Sequence, residues 1–154
     1  MTNAREAMRS IPVEVRGDVV HAQQAARTAA QDLGFSKYEA GELAIIASEL
    51  ATNILKYGIK GTMSFAPIVD PDRGSGICIV ARDHGPQFRD FEKALEDGRD
   101  DAGPIAVETI LRRNGLGTGL GAVKRFSDSI ECLPLRGEEG KEIRVVRFVR
   151  KGRR

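Results

Sequence analysis

The sequence predicts an α/β (α+β) two-layer sandwich, a mixed, mostly antiparallel sheet covered by helices on one face. Three observations predict it. Apolar runs of strand character come in two hairpin-like pairs, one in the middle of the chain and one at its end. Two helical segments precede the first pair, and a third precedes the second. The regular strand–helix alternation of a doubly wound sheet is absent.

The elements follow in order. Ile11 to Val15 alternates and reads as a short strand. Asp18 is expected to N-cap a helix carrying Val19, Val20, Ala22, Ala25, Ala26, Ala29 and Ala30, with Gly34 placed for a left-handed C-terminal cap. Ser36 and Glu39 form S-x-x-E, a capping box, and the helix it opens runs to about Tyr57, with Gly58 ending it. Thr62 to Val69 is a strand, and Asp70 to Gly76 is turn chemistry. Ile77 to Ala81 is apolar on both faces, which predicts a central strand covered on both sides or nearly so. A short helix is expected over Phe91 to Leu95. Residues 97–114 are mixed, and 99–114 reads as a lid. A helix opens near Gly117 to Gly119 and runs to about Phe126. Strands Ser129 to Leu135 and Glu142 to Val149 close the chain around a loop at 136–140. No repeat or linker interrupts it, so one domain over 1–154 is expected, its core about 11–149 and its tail from Arg150 a solvated end.

Composition excludes more than it selects. With 154 residues the chain is long enough for a real core. A net charge of +2, and 5% aromatics without Trp, argue against a nucleic-acid surface. No apolar run approaches the roughly 18 residues of a membrane span, and Met1 to Ile11 lacks a signal-peptide core, so a cytoplasmic location is expected. Cys78 and Cys132 sit in strand-like runs and are expected as buried free thiols.

The chemistry concentrates in three places. On the second helix, Ile46, Leu50, Ile54 and Tyr57 share the side expected to face the core. Glu42, Ile45, Glu49, Asn53 and Lys56 share an adjacent side. A solvated face is the plain alternative. Ile45 within that strip and Asn in mid-helix weigh against it. Glu and Asn four apart can reach one Mg²⁺ or one phosphate, with Asn53 as a neutral oxygen ligand and Glu49 as a general base. Asp83 ends a buried strand. It is either a turn former with Gly85 and Pro86 or the acceptor for an amino group such as adenine N6, with Gly85 letting the backbone lie close to the base. Gly115, Gly117, Gly119 and Gly121 alternate ahead of a helix, where backbone amides and the helix start can bind phosphate oxygens. Gly117, Gly119 and Ala122 also match G-x-G-x-x-A, but that fingerprint needs a strand directly before it, and the P-loop spacing is absent.

Together these residues resemble the Bergerat ATP-binding fold of gyrases, Hsp90-type chaperones, histidine kinases and MutL proteins. Glu49-x-x-x-Asn53 matches its N box, Asp83-x-Gly85 its first glycine box, and Gly115-x-Gly117-x-Gly119 its second. Within this GHKL superfamily the chain is most similar to the small anti-sigma-factor serine/threonine kinases, in the stressosome switch-kinase branch. The likeness runs through Ala47-Ser48-Glu49-Leu50-Ala51-x-Asn53, Phe91-Glu92-x-Ala94-Leu95-x-Asp97-Gly98 and Gly115-Leu116-Gly117-x-Gly119-Leu120-x-x-Val123-Lys124-Arg125. It covers about Val13 to Val149.

The resemblance implies an ATP site with Mg²⁺ on Asn53, Glu49 as base for a protein serine or threonine hydroxyl, and adenine fixed by Asp83 beside Gly85. Gly115, Leu116, Gly117, Thr118, Gly119 and Leu120 would wrap the triphosphate below the lid. Lys56 or Lys124 would touch phosphates, or either is a surface cation. The implied substrate is a STAS-domain antagonist protein, and the family's other partners are a sigma factor or a PP2C-type phosphatase. A homodimer is also compatible. Three departures stand out. Gln87 replaces the last glycine of D-x-G-P-G, Gly121 replaces a family-typical proline, and the lid is longer than in the switch kinases. The leading expectation is an ATP-dependent protein kinase in a partner-switching stress-response pathway. A non-enzymatic ATP-binding adaptor of the same fold is the alternative. An orphaned histidine-kinase catalytic domain ranks lower, because His21 lies on an alanine-rich helix, His84 lies in a turn, and no dimerisation segment carries an acceptor histidine. DNA binding ranks lower still.

Overall fold

Local chemistry sets the first half of the chain. In the computed structural model, which describes residues 9–57, 59–96, 99–100, 103–104 and 119–150, strand β1 spans Arg9–Val13 and helix α1 Gly17–Asp32. Asp18 does not cap α1 from outside. It lies inside the first turn, and its Oδ2 reaches back to accept the amides of Glu14 and Val15 at 2.9 and 3.0 Å. The helix therefore starts one residue before the expected cap, and the carboxylate braces the β1–α1 turn instead. Those two amide hydrogen bonds hold its carboxyl below the usual range. Gly34 closes α1 with φ +89°, as expected. The capping box forms: Ser36 N donates to Glu39 Oε1 at 3.2 Å and Glu39 N to Ser36 Oγ at 3.1 Å. It opens α2, Lys37–Tyr57.

Strands β2 (Gly61–Asp70) and β3 (Gly74–Asp83) form a hairpin whose turn is held by Asp70 Oδ1, which accepts from Asp72 N and Arg73 N. The short helix α3 spans Phe91–Ala94, and Asp90 caps it by accepting from Lys93 N at 3.2 Å. β4 (Arg99–Asp100) and β5 (Gly103–Pro104) make a two-residue ladder. Helix α4 is Gly121–Phe126, followed by β6 (Ser129–Pro134) and β7 (Lys141–Phe148).

The main sheet has the order β1-β2-β3-β7-β6, and each of its pairings is antiparallel. Alternation sorts its side chains. Met63, Phe65, Ile77, Ile79, Ala81, Ile143 and Val145 are buried on one face. Against them pack α1, through Ala22, Ala26 and Ala30, and α2, through Leu43, Ala47, Leu50 and Ile54. The small Ala stripe at four-residue spacing lets α1 lie close to α2.

β3 is the central strand, as expected, but it is not covered on both sides. Cys78 and Val80, on its other face, are only half-buried, and Arg82 is exposed. Their shelter comes from half-buried neighbours in the same sheet, Ser64, Ala66 and Val146, rather than from a second helical layer. Tyr57 also departs from expectation: at 36% exposure it lies off the core stripe, because three residues beyond Ile54 the wheel has turned 60° short of a full revolution. Among the described residues, no helix is long and apolar enough to cross a membrane.

Candidate functional site

The site gathers at one end of the sheet. Gly61 starts β2 opposite Asp83, the last residue of β3, and Lys141 starts β7 opposite Asp83 on the other side. Ile54 of α2 presses on this end. A Cβ added to Gly61 would stand 2.3 Å from Ile54 Cγ2, so the glycine is what lets the last turns of α2 close on the strand. Asn53 and Glu49 therefore lie on the part of α2 that meets the Asp83 end of the sheet. Glu49 is buried at 9% exposure, and Asn53 and Ile45 are half-buried, which is not how an open solvated face behaves. Lys56 is exposed, its Nζ 5.0 Å from the centroid of the Tyr57 ring.

Asp83 shares the inner face with Ile79 and Ala81 and is 2% exposed. A carboxylate so placed needs partners. Its Oδ1 accepts the Gly85 amide at 2.8 Å and the Lys141 ammonium at 3.0 Å. Lys141, itself buried, also donates to the Pro86 carbonyl at 2.8 Å and lies 5.2 Å from the Phe88 ring centroid. Phe88 in turn packs on Phe91 with ring centroids 5.2 Å apart. Of the two readings of Asp83, the turn former is the one its bonds show: its carboxylate closes the turn through Gly85, and it does so while facing the helical layer.

The loop after Asp83 is strapped to the β6–β7 hairpin. His84 N donates to the Lys60 carbonyl at 3.2 Å. His84 Nδ1 lies 3.3 Å from the Glu139 carbonyl oxygen, a bond it makes as the Nδ1–H tautomer. The Gln87 amide donates to the Gly140 carbonyl. Gln87, the departure from the family's last glycine, therefore has a bonding role in this chain.

The third part is α4. Gly119 has φ +64°, Leu120 is 4% exposed, and Gly121, Ala122 and Val123 are buried where α4 meets α2. Lys124 is exposed. Gly115, Leu116, Gly117 and Thr118 lie outside the described residues, as does Gly58. The expected helix start near Gly117 to Gly119 becomes a turn at Gly119–Leu120 with the helix beginning at Gly121.

The donor set suits Mg²⁺ carried by a nucleotide. Asn53 offers a neutral hard oxygen from the strip of α2 that also carries Glu49, and Mg²⁺ characteristically takes one or two protein oxygens beside phosphates. Among the described residues no cluster of three or more His, Cys, Asp or Glu could hold a metal alone. A groove of about 610 Å³ on the opposite sheet face is lined by Arg82, Leu133, Leu135, Arg136 and Arg144, among others, and includes none of these residues. There Glu142 is buried, which would raise its carboxyl, yet hydrogen bonds from Arg82 and Arg144 hold it below the usual range.

Sequence reasoning missed Lys141. Its signal was available: Lys141, Ile143, Val145 and Arg147 keep the period of two that marks the inner face of β7. Arg147, also unforeseen, is buried and pairs with Glu42 at 2.9 Å and Glu39 at 3.7 Å.

Fold and site together define a protein of one class. The chain belongs to the histidine kinase-like ATPase domain family, whose model matches residues 11–147. It is similar to the serine/threonine-protein kinase RsbT of Bacillus subtilis (strain 168), with 35% identity over 133 residues that cover 86% of this chain and 90% of that protein. Among solved structures, a chain of the SiaB–SiaC complex of Pseudomonas aeruginosa matches with a TM-score of 0.55 and 17% identity, over 92% of this chain and 91% of that one. The mycobacterial sensor histidine kinase MprB matches at 0.48 and 19% identity, over 88% and 96%. The resemblance read from the motifs is thereby borne out at the level of family, and the kinship to serine/threonine kinases with it.

Proposed function

We propose that this chain is a Mg·ATP-dependent protein serine/threonine kinase that phosphorylates a STAS-domain antagonist in a partner-switching pathway. One observation supports the reading: the last turns of α2, which carry Glu49 and Asn53, close on the Asp83 end of the sheet, and α4 packs on that same helix. Kinship at 35% identity to a serine/threonine-protein kinase supports it. Bound Mg·ATP would supply the phosphoryl group and neutralise the charge that develops on it. Asn53 would hold the metal by its amide oxygen. Glu49 would take the proton from the substrate hydroxyl as that oxygen bonds to the γ-phosphorus and the bond to the β–γ bridging oxygen breaks. Glu49 is buried, so a proton it took would be kept from bulk water. Asp83 would accept the adenine amine. Gly119 and Leu120, with Gly115 to Thr118 before them, would hold the phosphates, and Lys56 and Lys124 are candidates for phosphate contact.

A non-catalytic ATP-binding adaptor is the second reading, favoured by the ties of Asp83 and Gln87 to the hairpin. Calorimetry with Mg·ATP against GTP, followed by phosphate transfer to STAS-domain proteins, tests both. Glu49→Ala is expected to bind Mg·ATP as the wild type does and to transfer no phosphate. Unchanged transfer by that variant removes Glu49 as the base. Binding without transfer by the wild type leaves the adaptor, and no binding overturns both readings.

A further inference from the structure

Resting on the ATP-site reading above, we propose that Lys141 is a second base-reading group, donating to the ring nitrogen N1 of adenine beside the amine that Asp83 accepts. The hydrogen bonds to Asp83 from described residues all end on Oδ1, from Gly85 and Lys141. Oδ2 receives none from them, which leaves it to accept an amine. The Lys141 ammonium has three N–H donors. Two are committed, to Asp83 Oδ1 and to the Pro86 carbonyl. The remaining donor sits on a group fixed in place by those bonds and by the Phe88 ring.

A carboxylate oxygen with a lysine donor anchored on its partner oxygen presents an acceptor beside a donor. The Watson–Crick edge of adenine presents the reverse, a donor at N6 beside an acceptor at N1. Guanine carries an acceptor at position 6 and a donor at position 1, which opposes the pair in both places. Asp83 already discriminates at position 6, and Lys141 adds a second point of discrimination at position 1. Its burial strengthens the effect, because a missing acceptor opposite a buried ammonium is not replaced by bulk water.

The test uses the full chain with Mg²⁺ and four nucleotides in calorimetry: ATP, 7-deaza-ATP, 1-deaza-ATP and GTP. ATP and 7-deaza-ATP are expected to bind alike. 1-Deaza-ATP, which lacks only the N1 acceptor, is expected to bind about tenfold or more weakly, the loss of one hydrogen bond from a charged donor. In Lys141→Met, and in the neutral pair Asp83→Asn/Lys141→Met, the difference between ATP and 1-deaza-ATP is expected to vanish. The wild-type series decides the matter even where Lys141→Met does not fold. 1-Deaza-ATP binding as tightly as ATP overturns the proposal while leaving the ATP site standing. So does an unchanged difference in the variants, or tighter ATP binding by Lys141→Met, which would make the lysine a competitor of the base. Failure of the wild type to bind any of the nucleotides overturns the ATP-site reading and this proposal with it.

Discussion

Replacing Gly140 by Ala should cripple the floor of the site, and the hairpin itself supplies the control. Gly140 has φ +143°, and a Cβ there would stand 2.3 Å from the Asp83 carbonyl oxygen, 2.7 Å from Leu135 Cδ1 and 3.1 Å from His84 Cα. Gly137, three residues earlier on the same hairpin, has φ +72° with nothing within 4 Å of its added Cβ. Gly137→Ala therefore carries the backbone cost alone, about 1 kcal/mol. Gly140→Ala carries a similar backbone cost and an overpacking cost of about 1–3 kcal/mol, because two of the atoms it meets are main chain and cannot swing aside. The sum is about 2–4 kcal/mol. At about 2–4 °C per kcal/mol for a chain of this size, Gly140→Ala should lower Tm by about 4–16 °C and Gly137→Ala by about 2–4 °C. Scanning calorimetry and urea unfolding measure both. Because the clash displaces the Asp83 carbonyl, nucleotide affinity should fall with Gly140→Ala and hold with Gly137→Ala. Equal shifts for the two variants would refute the argument from close approach.

Two further expectations concern groups away from the nucleotide. Arg147→Met leaves Glu39 and Glu42 facing each other under β7 without their cation, and unfolding in urea should show a loss of about 3–5 kcal/mol. Burial pushes the Cys132 thiol up to about 11, so alkylation by iodoacetamide should stay slow from pH 7 to 9 and accelerate toward 11. The sign for stability follows. A thiol raised in the folded state and ordinary in the unfolded one leaves stability whole below the unfolded value near 9, then erodes it as pH rises toward 11. Cys132→Ala should remove that alkaline slope, as urea midpoints at pH 8 and 10.5 will reveal.

Features that depend on neighbours in the sequence were legible. The Ser36–Glu39 box, the Gly34 cap and the Asp70 turn each bond within four residues, so spacing alone specifies them. Alternation placed the strands to within a few residues. It misjudged cover on β3, because Cys78 and Val80 are sheltered by other strands, an effect of sheet order rather than of their own run. Asp18 was misread because a carboxylate at a helix start can bond forward or backward, and the choice depends on how β1 enters the turn. The pairing of Lys141 with Asp83 joins residues 58 apart in the chain, and that of Arg147 with Glu42 residues 105 apart. Only the register of β7 on β3 and the seating of α2 create them. On the α2 strip Glu49 is buried and Ile45 and Asn53 are half-buried, as Ile45 among polar residues suggests, whereas Lys56 at its end is exposed.

The straps that hold the loop after Asp83 end on main-chain oxygens: Glu139 and Gly140 receive His84 and Gln87, and Pro86 receives Lys141. Every amino acid offers that oxygen. The side chain at position 139 can therefore change without loosening the latch, and the hairpin keeps its hold as long as its trace, Gly140 and Lys141 persist. What the latch asks of this strand reversal is its shape, which brings the main-chain oxygens of Glu139 and Gly140 within reach of the loop.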